Sequence, residues 1–395
     1  MTTISQLEAH GIPVTAAGGG VQETKTVVQN VDQLRSLLDS GLDQSGRQAH
    51  YEAMFDGIQP AATSDDEALS RRIAANVIGN AELSDSDQAA IAPAFPMTVH
   101  VTAAAGPLTV NSRYDLSTPD GSPRVVSFTD VTLEQGGYFV CEGTPLSFTC
   151  NTLTRTGNTG STISDFNILG KVGVTPTTPS PPAAPSQAGP GSPGDCSSAG
   201  IAGNSGGPGN PGRTGTAGTA GGPGAPGTAS MQATITISTT LTGSLSVYSQ
   251  SGSGGNGGNG GAGGPGGQGG NGGNGATCDC TGNAGGSGGD GGQGGNGGQG
   301  GDGGNGVDAA GNVVVKVPNA ADVKNVHTTT ASAPPGAPGQ PGPGGPGGPG
   351  GQGGSAGKDN AGGYSGGPGP AGATGAQGQY GTVSGKPAQI VVTPL

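Results

Sequence analysis

The chain has 395 residues, a formal net charge of −12 and only 14 Lys and Arg residues. This scarcity of basic residues excludes the basic stripe on which a nucleic-acid partner depends. No apolar stretch reaches the roughly 18 to 20 residues that a membrane span requires.

The N-terminal sequence MTTISQLEAHGIPV lacks the basic start and apolar core of a signal peptide. We therefore expect synthesis in the cytoplasm. We expect an extracellular or virion-surface location, reached by assembly into a particle, by lysis or by a non-classical route.

Residues 1–95 are predicted to be a small helical region for attachment or assembly. Apolar residues from Val31 to Leu42 fall on one face of a helix that starts near Asn30. Ser64 with Glu67 forms a capping-box pattern that predicts a second helix.

Residues 96–173 are predicted to form an antiparallel β-domain. Apolar residues alternate with polar ones from Met97 onward, and Gly136-Gly137 and Gly143-Thr144-Pro145 interrupt the strands as turns. Cys141 and Cys150 flank one predicted hairpin, and a disulfide would join them if the strand register allows it.

Residues 174–395 are rich in glycine and follow a period of three. Gly occupies every third position in 200–227, 336–357 and 363–381, whereas 254–275 and 285–306 read GGX throughout. Three residues per turn is the period of the polyproline II helix, and it matches neither the α-helix nor the strand. The Pro-rich stretch 175–195 counts as a sixth rod, because proline favours the same conformation.

The segments between these rods alternate in character. Residues 231–250, with a turn at Thr242-Gly243, and residues 312–330 are predicted to be β-like pairs, and 383–393 a strand. Antiparallel rods of similar length place every β-like connector at one end and every short polar loop at the other. The predicted fold class is therefore mixed: a helical N-terminal region, an antiparallel β-domain, and an antiparallel bundle of about six polyproline or polyglycine II helices with β-like connectors at its base.

Disorder and collagen are the alternatives for such a composition. A disordered linker has no reason to keep the glycines in phase over successive triplets, as 200–227 does. A collagen triple helix requires longer runs, and it tolerates the Pro-poor GGX runs badly.

The GGX runs resemble those of polyglycine II bundle proteins, namely the glycine-rich tail-tip adhesins of some tailed phages and the snow flea antifreeze protein. The resemblance covers about 175–381 and rests on the type of repeat. It implies a non-enzymatic structural or adhesive protein, such as a fibre or tail-tip component, with no cofactor and no metal. A β-rich base would attach it to a larger fibre or virion, and loops at the far end would bind a cell-surface receptor.

The residues of the short polar loops are accordingly the receptor-binding candidates. These residues are Asp195, Thr277, Asp279, Thr281, Asn283, Lys358, Asp359, Asn360 and Tyr364.

Two other functions fit the same sequence. A self-assembling extracellular filament subunit would use the unpaired backbone of the outer rods. An ice-binding protein needs a flat array of small residues, of which 213–220 (RTGTAGTA) offers a short patch.

Three cysteines share the predicted far end. Cys196 can bridge Cys278 or Cys280 and so close a long loop. The alternative is three reduced thiols, because no secretion signal indicates an oxidising compartment.

Overall fold

A computed structural model describes residues 21–38, 66–78, 81–104, 106–157 and 163–395, together with a few isolated positions between 45 and 52. The predicted cap residue Ser64 and the helix position Leu42 lie outside the described residues.

The N-terminal elements among the described residues include the strand β1 Gln22–Val28 and the helices α1 Val31–Leu38, α2 Asp66–Ile78 and α3 Asp85–Ile91. Helix α1 begins directly after Asn30, whose Oδ1 accepts a hydrogen bond from the Gln33 N–H at 2.9 Å. A capping box at Ser84 and Asp87 starts α3. The helices pack on one face of the following sheet through Leu34, Leu37 and Val77.

The remaining strands alternate between two sheets. They are β2 Met97–Ala104, β3 Leu108–Val110, β4 Arg113–Asp115, β5 Arg124–Leu133, β6 Tyr138–Glu142, β7 Leu146–Arg155, β8 Phe166–Leu169, β9 Ala233–Thr242, β10 Leu245–Gln250, β11 Val313–Val317, β12 Val326–Ala331 and β13 Ile390–Pro394. Sheet A has eight strands in the order β1-β2-β5-β7-β9-β11-β13, with β3 also beside β5, and sheet B has the order β12-β10-β8-β6-β4.

From β4 onward, consecutive strands along the chain alternate between sheet B and sheet A. Apart from the antiparallel pair β1–β2, the pairs in both sheets are parallel, as in Leu146 opposite Ala233 and Ala233 opposite Val313. Alternate apolar side chains of both sheets point into the space between them and form the main core. Its centre is Phe148, which is fully buried among Phe128, Phe139 and Phe166.

The predicted fold class is therefore wrong. The described residues form two mostly parallel sheets with short helices, an α/β arrangement, and no polyglycine II bundle is evident among these elements. The predicted β-domain is parallel rather than antiparallel. Residues 231–250 and 312–330 do not form hairpin connectors, because β9 and β11 belong to sheet A while β10 and β12 belong to sheet B. The last strand, β13, lies within the segment 383–393 except for its final residue.

The six Gly- and Pro-rich segments leave sheet B and return to sheet A. Two segments follow each of β8, β10 and β12, so that consecutive segments run antiparallel and alternate segments run parallel. We call these six segments (175–195, 200–227, 254–275, 285–306, 336–357 and 363–381) the glycine array. Backbone hydrogen bonds continue from the sheets into the array. Gly170 N–H donates to Gln250 O at 2.9 Å, and Gly254 N–H donates to Pro334 O at 3.0 Å.

Backbone hydrogen bonds at every third residue hold the array together. Gly295 N–H donates to Gly264 O at 2.8 Å, and Gly345 N–H donates to Gly295 O at 2.8 Å. A Cβ on Gly295 would lie 2.0 Å from the Thr216 carbonyl oxygen, so that only glycine allows this approach.

The polar X residues of the GGX segments also bind backbone. Asn296 Oδ1 accepts from Ala373 N–H at 3.0 Å, and Asp302 Oδ1 accepts from Gln379 N–H at 2.7 Å. Asn256, Asn259, Asn271 and Asn274 do the same for the segment 336–357. Their side chains therefore satisfy N–H groups that the glycine ladder leaves open.

None of the described helices is both long and apolar enough to cross a membrane.

Candidate functional site

Three loops meet at the end of the glycine array that is remote from the sheets. We call residues 195–205, 276–284 and 357–364 the first, second and third tip loops, of which the first and third overlap the ends of the segments that they join. Each loop joins two consecutive segments of the array, and backbone bonds connect neighbouring loops. Gly357 N–H, for example, donates to Asn283 O at 2.8 Å. Distant stretches of the chain therefore form one continuous surface.

A disulfide joins the first and second tip loops. It links Cys196 to Cys278, whose Cα atoms lie 5.7 Å apart and which are 82 positions apart in the sequence. Beside it, Ala202 N–H of the first loop donates to Thr281 Oγ1 of the second loop at 3.0 Å. The Thr281 hydroxyl therefore forms a hydrogen bond between the two loops.

Asn283 is buried between these loops and fixes their separation. Its Nδ2 donates to Asp195 O at 2.5 Å and to Asn204 O at 2.6 Å. A buried amide with these partners has a structural role, so Asn283 is not available to a receptor.

The carboxylate of Asp195 is likewise committed to its own loop. Its Oδ1 accepts the Asn204 backbone N–H at 2.5 Å, and its Oδ2 accepts Asn204 Nδ2 at 3.2 Å. These hydrogen bonds, first from the backbone and then from the side chain of Asn204, lower the pKa of Asp195 below its usual value.

Side chains also connect the second and third tip loops. Lys358 N–H donates to Thr277 Oγ1 at 3.2 Å, and Asn360 Nδ2 donates to Gly282 O at 2.5 Å. Asp359 adopts a left-handed backbone with φ of 57° and turns the chain toward the last segment.

The predicted receptor-binding residues therefore divide into two groups. Asp195, Thr277, Thr281, Asn283 and Asn360 hold the loops together through the contacts described above. Asp279, Lys358, Asp359 and Tyr364 are exposed, and 87% of Tyr364 is accessible to solvent. These four residues remain the binding candidates.

Sequence reasoning missed two tip residues. Asn204 is a central hydrogen-bonding partner, and 49% of Ile201 is accessible at the same end. Asn is a common turn residue, but Asn204 lies inside the glycine run 200–227, and no pattern in the sequence pairs it with Asp195.

The prediction of a Cys141–Cys150 disulfide is wrong. Cys141 lies in β6 of sheet B and Cys150 in β7 of sheet A, and both are free and buried. Because β6 and β7 belong to different sheets, they do not form a hairpin that a disulfide could join. Burial raises the pKa of the Cys141 thiol to about 12 and also raises that of Cys150, so both thiols are poor nucleophiles. Cys280 is free and exposed.

Replacing both Cys196 and Cys278 by Ala is expected to loosen the tip. A crosslink across 82 positions contributes about 4 kcal/mol by restricting the unfolded chain. We expect a lower Tm in differential scanning calorimetry and faster amide hydrogen exchange in the first two tip loops. Unmodified protein treated with dithiothreitol should resemble this variant, and Cys280→Ala should retain the original Tm. An equal loss of Tm in Cys280→Ala would contradict the assigned pairing.

Among the described residues, no group of three His, Cys, Asp or Glu side chains is placed to hold a metal ion. No protein-family model, curated protein or solved structure matches this chain.

Proposed function

We propose that the protein is a non-enzymatic adhesive or structural surface protein whose tip loops bind a receptor. The observation that carries this proposal is the joining of three loops, from distant parts of the chain, into one fixed surface. That surface presents Asp279, Lys358, Asp359 and Tyr364 to solvent.

The glycine array supports this function because it is a stiff spacer. Each GGX segment is hydrogen-bonded to neighbours along its length. A 22-residue segment spans at most about 75 Å, which is the greatest distance at which such a segment can hold the tip from the sheets. Fixed loops on a rigid support bind with little loss of conformational entropy.

A triple variant at the tip and a tyrosine control near the sheets test the proposal. Tyr364 at the tip and Tyr380 near the sheets lie on the same segment. The solvent-exposed fraction is 87% for Tyr364 and 68% for Tyr380. Fluorescently labelled protein would be titrated onto a panel of intact bacterial and animal cells. We expect saturable binding to at least one surface, weakened tenfold or more by the triple change Asp279→Ala, Lys358→Ala and Tyr364→Ala. Tyr380→Ala should bind as the unmodified protein does.

Binding that is lost equally in Tyr380→Ala, or that survives the triple change, would contradict a receptor site at the tip. Retained thermal stability of both variants excludes misfolding as the cause.

A second candidate function is a self-assembling filament subunit. Among the described strands, β12 (VHTTTA) ends sheet B, and it carries none of the Lys, Asp or Glu residues that commonly protect such an edge. Regular fibres in negative-stain electron microscopy of the full-length protein would favour this candidate, whereas separate particles with a projecting rod would favour the receptor-binding protein.

A further inference from the structure

The segment 336–357 lies at an edge of the glycine array. It accepts hydrogen bonds from 254–275 and from 363–381, and it donates to 285–306. Among the described residues, no other segment of the array is hydrogen-bonded to it. The side of this edge segment that faces away from 254–275 therefore has no neighbour in the array.

The exposed face of the edge segment carries a proline at every third position. Pro343, Pro346 and Pro349 are all exposed. Their carbonyl oxygens accept hydrogen bonds from glycine N–H groups of 254–275 at 2.9 to 3.0 Å. A period of three places these prolines on the same side of a polyproline II helix. The array therefore holds the sequence P-x-x-P-x-x-P in a fixed conformation before any partner binds.

The glycines that follow these prolines have N–H groups without a partner. Gly263 N–H donates to Pro343 O at 2.9 Å. Gly344 has the equivalent place in the edge segment, since a Cβ on either glycine would lie 2.0 Å from a carbonyl oxygen of the adjoining segment. Gly263 is buried, whereas Gly344, Gly347 and Gly350 are partly exposed, and their N–H groups bond to none of the described residues. The edge segment thus presents free backbone donors beside its prolines.

The surface around these prolines is uncharged. Four Asn side chains of 254–275 accept the N–H of a facing residue in 336–357. A proline has no N–H to donate, and the residue beside Pro343 is Ala262. Neither of the two segments contains a charged residue. A partner for this surface therefore needs apolar contact and hydrogen-bonding groups rather than charge.

The Pro-rich segment 175–195 does not present an equivalent surface. It has a row of prolines at the same spacing, but the members of this row are half-buried: Pro176, Pro179, Pro182 and Pro185. Pro179 packs beside Gly261, where a Cβ would lie 3.3 Å from the Cβ of that proline. The exposed row at 343–349 is therefore the accessible one.

The last segment of the array obstructs a further glycine segment on the open side. A Cβ on Gly291 would lie 1.9 Å from Gly348 O, so bare glycine allows these two segments to approach. Since Gly367 N–H bonds to Asp290 Oδ1 at 2.8 Å, the counterpart of Gly291 in the last segment is Pro368. Its ring prevents another backbone from approaching as closely. The open side therefore fits the side chains of a partner and not the array of a second copy.

We propose that residues 342–353 dock into an aromatic-lined groove of a partner protein, of the kind that recognises polyproline II helices. In such grooves, aromatic side chains pack against the proline rings. Pro343 and Pro346 supply the rings here, and Gly344 and Gly347 supply N–H donors for acceptor side chains of the partner. Because the array already fixes the helix, binding costs little conformational entropy.

This surface lies along the array, apart from the tip loops, and goes beyond the proposed receptor-binding function. It attaches a partner to the side of the array whether or not the tip binds a receptor.

Fluorescence-anisotropy titrations with the full-length protein test the proposal. The probes are labelled SH3, WW and EVH1 domains, which have aromatic-lined grooves for polyproline II helices. The test variant is Pro343→Ala with Pro346→Ala, which removes two rings and leaves the carbonyl acceptors in place. The matched control is Pro208→Ala with Pro211→Ala, which changes two exposed prolines three residues apart in another segment.

We expect saturable binding of at least one domain, weakened about tenfold or more in the test variant and unchanged in the control. Because the surface is uncharged, the affinity should change little between about 0.05 M and 0.5 M NaCl. Amide hydrogen exchange of the unmodified protein should slow in 342–353 when the domain binds. This footprint decides the result if the test variant has a lower Tm than the control.

Absence of binding to all three domains, equal weakening in the two double variants, or slowed exchange only outside 342–353 would each overturn the proposal. Self-association of the unmodified protein that the test variant abolishes would assign the surface to a second copy and would overturn it as well.

Discussion

Replacing Gly295 by Ala in the middle of the glycine array is expected to lower the free energy of unfolding by about 3 kcal/mol. The new methyl group would lie 2.0 Å from the Thr216 carbonyl oxygen, so the neighbouring segment must move away. Overpacking of this kind costs about 1 to 3 kcal/mol. The movement also weakens the hydrogen bonds of Gly295 to Gly264 and Gly345, each of which contributes about 1 kcal/mol.

The matched control is Gly367→Ala on the outer segment of the same array. The nearest atom to a Cβ there is Asp290 Oδ1 at 3.6 Å, an ordinary contact. We expect a change within about 0.5 kcal/mol. Guanidinium denaturation followed by circular dichroism compares the two variants. Equal losses would show that the array does not depend on close approach of its backbones.

The same two glycines show what the sequence could reveal about the array. Period three is visible directly, and GGX marks segments with neighbours on several sides. The hydrogen bonds between the polar side chains and the backbone of a neighbouring segment were less visible. Asn296 and Asp302 are exposed, as polar residues between glycines are expected to be, and they also accept hydrogen bonds from the backbone of a parallel segment. Polarity indicates the exposed face but does not reveal these hydrogen bonds.

The sheets were harder to predict because their pairing partners are distant in the sequence. Local alternation and the turn at Thr242-Gly243 are equally typical of a hairpin and of a chain that crosses between two sheets. The deciding information is long-range: Ala233 pairs with Leu146 on one side and with Val313 on the other. A strand pair followed by two glycine-rich segments recurs along the chain, and treating this as an internal repeat would have indicated stacked parallel strands.

At the tip, the sequence located the correct loops but could not assign roles within them. Short polar loops between runs of similar length were expected to gather at one end. Asn283 and Tyr364 looked equivalent as polar or exposed loop residues. Only the packing shows that the Asn283 amide is buried between two loops while Tyr364 faces solvent. The choice between Cys278 and Cys280 likewise depended on the path of a loop only a few residues long.

Replacing Phe148 by Ala is expected to lower the free energy of unfolding by about 4 kcal/mol, the usual range for a large aromatic residue removed from a core. Phe148 is fully buried, and its ring centroid lies 5.8 Å from that of Phe128, 5.2 Å from that of Phe139 and 5.0 Å from that of Phe166. The cavity left behind would border three other rings from both sheets. They cannot all move into it, because each is held by its own strand.

Two further variants separate this cavity effect from general damage to the sheets. Phe148→Leu keeps most of the volume and should lose less than about 1.5 kcal/mol. Tyr248→Ala removes a half-buried ring on the outer face of sheet B and should lose less than Phe148→Ala. Because β8 and β10 continue directly into the glycine array, hydrogen exchange should also show weaker protection at Gly173 and Gly255 in Phe148→Ala. Unchanged exchange at these glycines, with a loss confined to the strands, would mean that the array is stable independently of the sheets.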